Sequence, residues 1–100
     1  MDFNKQNEVN KFITYKKTRL NTDFYVKLEI YQSANYWLHF STELLIENNI
    51  SKDDYTFIFM EDIIKPYLGY VQMNMHYLSD VKFDGNYLYF SNGEKKVRLS

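Results

Sequence analysis

The sequence holds no cysteine, one proline and three glycines in 100 residues. Without cysteine there is no disulfide framework, no thiol nucleophile and no thiolate metal site. So few glycines build no Walker loop or dinucleotide motif, and neither a nucleophile elbow nor a His-Glu-x-x-His pair occurs. No uninterrupted apolar run approaches the roughly 20 residues that a bilayer span needs. The opening stretch Met1-Asp-Phe-Asn-Lys-Gln-Asn-Glu8 lacks an apolar signal core, so a cytoplasmic location and no membrane partner are expected. Nor does either charge dominate, since the net charge is −1.

What is present suits a folded chain. With 45% hydrophobic and 19% aromatic residues, it can bury a core as one domain spanning residues 1–100. Charge is unevenly placed: residues 1–32 and 81–100 each carry +2, and residues 33–80 carry −5. If the two ends share a sheet, the molecule has a basic side and an acidic side. Tyr, Asn, Lys, Ile and Phe, whose codons are AT-rich, are abundant. This composition points to a low-GC bacterium, its phage or another mobile element.

The clearest local signals lie between Val81 and Leu99. Asp84-Gly85 and Asn92-Gly93 are dipeptides that tolerate positive φ at both central positions of a type I′ turn. Two-residue loops at those pairs set Val81 opposite Leu88 and Leu88 opposite Val97. On the other face they align Lys82, Tyr87 and Arg98. A second hairpin is expected upstream, because Phe24, Val26, Leu28 and Ile30 alternate with Tyr25, Lys27, Glu29 and Tyr31. A loop at Ser33-Ala-Asn35, with Asn35 left-handed, pairs Ile30 with Leu38, Glu29 with His39 and Tyr31 with Trp37.

The remaining segments read as helix. Val9, Phe12, Ile13 and Leu20 form one stripe within residues 1–20, although Phe12-Ile-Thr-Tyr15 also suits a strand. Ser51-Lys-Asp-Asp54 resembles a capping box. After it, Tyr55, Phe59, Met60, Ile63 and Ile64 share a broad arc of a helical wheel, with Glu61 and Asp62 on the solvated side. Pro66 then breaks the helix or opens a second one, whose stripe would be Leu68, Val71, Met75 and Leu78. The rival for that last segment is a strand. The fold expected is α+β: an antiparallel sheet of two hairpins, about 24–44 and 81–99, with helices from about 52–78 packed on one face.

Catalytic signals are weak. Glu29 opposite His39 could do acid–base work, but no nucleophile or second carboxylate is tied to the pair by spacing. His76 reads as a polar-face or satisfied, partly buried residue, not a metal ligand. Glu61 and Asp62 read as a solvated face, because adjacent helical residues diverge by ~100°. No enzyme, cofactor or metal site is expected. The outward sheet face is more informative, with Tyr25, Lys27, Glu29, Tyr31, Trp37 and His39 from one hairpin and Lys82, Tyr87, Tyr89, Lys96 and Arg98 from the other. Trp, Tyr and Arg are the residues that anchor interfaces. The partner-binding set expected is Tyr31, Trp37, His39, Lys82, Tyr87, Tyr89, Lys96 and Arg98. A solvated face, stabilised only by its own cross-strand pairs, is the plain alternative. The sequence favours a small non-enzymatic protein-binding module, a regulator or inhibitor, whose partner is another protein or a second copy of itself. Single-stranded nucleic acid, stacked on the same aromatics, is the runner-up, disfavoured by the slightly acidic whole.

Overall fold

A computed structural model describes residues 3–100. Helix α1 (Phe3–Tyr15) precedes strands β1 (Asp23–Ser33), β2 (Tyr36–Asn49) and β3 (Asp54–Phe59). A 3-10 turn, Asp62–Ile64, leads into the single-turn helix α2 (Lys65–Leu68). Strand β4 (Gln72–Asn74), a second 3-10 turn (Met75–Tyr77), and strands β5 (Ser79–Phe83), β6 (Leu88–Asn92) and β7 (Lys95–Leu99) complete the chain. All seven strands form one antiparallel sheet in the order β4-β3-β2-β1-β7-β6-β5. The fold is α+β, as expected.

The sheet curls into a half-barrel. Phe57 of β3 and Phe90 of β6, with three strands between them in the order, meet inside it with ring centroids 5.7 Å apart. Alternation decides what lines the interior. Val26, Leu28 and Ile30, Leu44 and Ile46, Phe57 and Phe59, Leu88 and Phe90, and Val97 and Leu99 all point inward and are buried. The two edge strands, β4 and β5, run the same way and do not pair with each other. Helix α1 lies across that opening, with Val9, Phe12 and Ile13 buried. Phe12 packs its ring against Phe24 and Phe83. Polar contacts tie the helix to both sides: Gln6 Nε2 donates to the Asp53 carbonyl, the Tyr55 hydroxyl to Asn10 Oδ1, and the Phe83 amide to Glu8 Oε1 at 2.9 Å. No helix among the described residues is long and apolar enough to cross a membrane.

The β1–β2 hairpin has the expected register, with Ile30 opposite Leu38, Glu29 opposite His39 and Tyr31 opposite Trp37. Its turn differs. A bulge after Tyr31 sets Ser33 opposite Tyr36, leaving a turn of Ala34-Asn35 in which Asn35 is not left-handed.

The C-terminal hairpins are shifted by two residues from expectation. Leu88 faces Phe83 and Leu99, instead of Val81 and Val97, and Arg98 faces Tyr89 instead of Tyr87. Glycine is the first central residue of each turn, not the second: Gly85 has φ +103° and Gly93 has φ +62°. Asp84 explains the choice at the first turn, since its carboxylate accepts the amides of Asn86 and Tyr87 at 2.8 and 2.7 Å from a position just outside the turn centre. A shift of two equals the period of a strand, so every side chain keeps its face.

The larger correction concerns residues 52–78. Residues 54–59 are strand β3, paired with β2 from Leu44–Phe59 to Asn49–Asp54. The apparent capping box is instead the β2–β3 turn, where Lys52 and Asp53 donate amides to the Asn49 carbonyl and Asp53 takes φ +56°. Tyr55, Phe57 and Phe59 line the interior, while Ile58 and Thr56 lie on the opposite face, Thr56 buried under Asn49 and Asn74, so a strand period fits the run as well as a helical one. Long-range pairing with β2 settled the ambiguity. Pro66 does open a helix, α2, but it lasts four residues before Gly69 ends it at φ +91°. Residues 72–74 are a strand, the rival reading. Ile64 and Leu68 are buried, whereas Met60 and Ile63, both placed in the apolar arc, are exposed.

Candidate protein-binding face

The convex side of the sheet carries the outward residues of β1, β2, β6 and β7. Strand β7 is the link, because it pairs with β1 through Leu28–Leu99, Glu29–Arg98 and Ile30–Val97. One row therefore crosses the face as His39, Glu29, Arg98, Tyr89 and Lys82, each opposite the next. The two hairpins do share one sheet, and their aromatic and basic residues do share one face.

Arg98 is the centre of that face. Its Nε and Nη2 donate to Glu29 Oε1 and Oε2 at 3.2 and 3.0 Å, a two-pronged pair. Its guanidinium carbon lies 4.0 Å from the Trp37 ring centroid and 4.4 Å from that of Tyr87. Both rings pack against the guanidinium at cation–π distance, while Glu29 anchors its nitrogens. Hydrogen bonding to Glu29 raises the pKa of Arg98 further, outweighing burial, which alone would lower it. Beyond Trp37, Tyr31 packs edge-on at 5.4 Å and Lys96 Nζ stands 5.8 Å from the Tyr31 ring centre. Tyr87 and Tyr89 continue the aromatic strip with centroids 5.8 Å apart. A shallow cavity of about 430 Å³ opens beside them, lined by Tyr31, Trp37, Asp80, Tyr89, Ser91 and Lys96.

Of the residues expected here, Tyr31, Trp37, Tyr87, Tyr89, Lys96 and Arg98 form one contiguous group. His39 and Lys82 are exposed at the two ends of the central row. Lys82 leans away toward α1, its Nζ 3.9 Å from Glu8 Oε1. The residue that sequence reasoning missed is Glu29. Read as an outward partner of His39, it is only 6% exposed and serves Arg98. A lone acid in an otherwise Tyr- and Lys-bearing strand face was the available signal, but its cation came from a strand with no local link to β1.

Comparison of the chain with protein-family models, with curated proteins and with solved structures finds no match. Its own geometry is therefore the basis for a functional reading. Among the described residues no group of three or more His, Cys, Asp or Glu side chains is arranged to hold a metal ion. His76 is exposed and its amide donates to Asn74 Oδ1, which caps the second 3-10 turn.

Proposed function

We propose that the chain is a small protein-binding module of the cytoplasm, a regulator or inhibitor without catalysis of its own, that docks its partner on the convex sheet face. The observation that carries this reading is the fixed Trp37–Arg98–Tyr87 stack, locked from below by Glu29. A rigid aromatic and Arg cluster loses little side-chain entropy on binding, which is how a few residues come to dominate an interface. Tyr31 and Lys96 beside it remain exposed and face the shallow cavity. The same geometry weighs against single-stranded nucleic acid. Arg98, the most deeply set cation of the face, is already neutralised by Glu29, and its guanidinium occupies one side of both the Trp37 and Tyr87 rings. Phosphate contacts and base stacking lose their best groups.

The test pairs light scattering and affinity capture with an oligonucleotide titration. Tyr31→Ala with Lys96→Glu removes none of the Arg98 contacts and changes two exposed side chains, so the fold should persist, checked by circular dichroism, while the accessible half of the face changes. The wild-type chain should form a dimer, or retain a partner protein, that this variant loses. Equal retention by both chains would overturn the reading. So would binding of a mixed oligonucleotide that weakens steeply between low and physiological salt.

A further inference from the structure

A second concavity lies away from the convex stack, where the β4 edge of the sheet meets the β6–β7 turn. It encloses about 760 Å³, within the range of small-ligand sites. Four side-chain amides converge on it, those of Asn49, Gln72, Asn74 and Asn92. Two of them are held in place: Asn49 Nδ2 and Asn74 Nδ2 donate to Asp54 Oδ1 at 3.0 and 3.2 Å, and both also reach the Thr56 hydroxyl. Asn92 is fixed through its Nδ2, 3.3 Å from Met73 Sδ. Those donations orient the amides while leaving the carbonyl oxygens of Asn49 and Asn92, and the whole amide of Gln72, to serve a ligand. Two tyrosines flank the opening, Tyr70 at 59% and Tyr77 at 77% exposure. Met73 and Leu78 supply an apolar floor.

We propose that this cleft binds a neutral polyhydroxylated ligand, a short oligosaccharide. Sugar hydroxyls both donate and accept, and amides are the side chains that answer both at once. The C–H face of a pyranose carries slight positive charge and stacks on the negative face of a phenol ring. Glu47 and Lys52 line the cleft and the Asp54 carboxylate stands behind Asn49 and Asn74, so no positive field is there to hold a polyanion. An extended peptide added to β4 fits less well. The strand is three residues long, and Asn74 then caps a 3-10 turn that curls the chain away from the edge, leaving too short a template.

The ¹⁵N-labelled chain should be titrated with maltotriose, cellotriose and tri-N-acetylchitotriose up to about 10 mM, ten times the dissociation constant of a millimolar binder. At least one sugar should produce saturable shifts in the side-chain amide resonances of Asn49, Gln72 and Asn92. Tyr70→Ala and Tyr77→Ala change exposed rings and should keep a dispersed spectrum while weakening binding roughly tenfold each. Gln72→Ala should weaken it too, and Tyr31→Ala on the convex face should not. The proposal is overturned if none of the three sugars gives saturable shifts, or if both tyrosine variants bind as tightly as the parent. It is equally overturned if an unrelated peptide or an oligothymidine moves these resonances and the sugars do not.

Discussion

At Arg98, one guanidinium satisfies a buried carboxylate and two aromatic rings at once. Its removal is therefore costly in a way that the loss of a surface cation is not. Arg98→Ala strands Glu29, only 6% exposed, without a counter-charge. The expected loss is about 3–5 kcal/mol in a urea titration. Glu29→Gln combined with Arg98→Met removes both charges and should cost much less than the separate losses added together. A double-mutant cycle that showed simple additivity would mean that the pair is not coupled. Gly85 is the other sensitive residue. A side chain there meets nothing within 4 Å, so Gly85→Val isolates the backbone cost of φ +103°. That cost should be about 1–3 kcal/mol, visible as a lower midpoint without a change in slope.

Among the elements, the stretch after β3 separates neighbouring isoleucines. Ile64 is fully buried, and Ile64→Ala should lower stability by about 2–5 kcal/mol. Ile63 is 61% exposed, so Ile63→Ala should fall within about 0.5 kcal/mol of the parent. A helical wheel would have placed both in the core. The β5 edge gives a second prediction, this one in pH. Glu8 accepts Lys11 Nζ at 2.7 Å and the Phe83 amide at 2.9 Å, and these bonds hold its carboxyl below the usual range. Asp84 is likewise held low by the amides of Tyr87 and Asn86. Because both groups bind protons more weakly folded than unfolded, their stabilisation is complete above the ordinary carboxylate pKa values. It is lost as pH falls through the depressed folded values. Melting temperature should therefore drop on acidification below about pH 4.5, and Glu8→Gln with Asp84→Asn should flatten that drop. An unchanged acid slope in the double variant would show that other carboxylates govern it.

For the molecule as a whole, the decisive closure is β7 against β1. It joins the four-strand meander β1–β4 to the three-strand meander β5–β7 and completes the convex face. Pairing such as Ile30–Val97 joins residues far apart in the sequence, so its loop-closure cost precedes any gain. Folding followed by stopped flow should fall in the millisecond-to-second range of non-local β topologies, not in microseconds. Deleting residues 95–100 should expose the β1 edge from Leu28 to Ile30, abolish a single cooperative unfolding transition and remove the Arg98 stack together. Retention of one sharp transition would place the stability of the sheet elsewhere.

The residues by themselves determined the two hairpin regions, the facing of every strand they contain, and the aromatic and basic character of one sheet face. Alternation is a local property with a period of two, and it survives errors of two in register. That is why Tyr87, Tyr89, Lys96 and Arg98 lie on the side their alternation predicts although both C-terminal hairpins pair two residues away from the expected register. Helix α1 was only half legible: Val9, Phe12 and Ile13 have helical spacing, but Phe12-Ile-Thr-Tyr15 suits a strand equally, and Leu20 of the same stripe lies beyond the helix end at Tyr15. The strand at 54–59 was not legible, because a short apolar run fits both periods. The choice was made by the free edge of β2, which offered Tyr55 to Phe59 a full ladder of hydrogen bonds. Nor could Glu29 be matched to Arg98 from the sequence. A buried carboxylate takes its cation from whichever strand pairs beside it, and only the closure of β7 onto β1 made that neighbour Arg98.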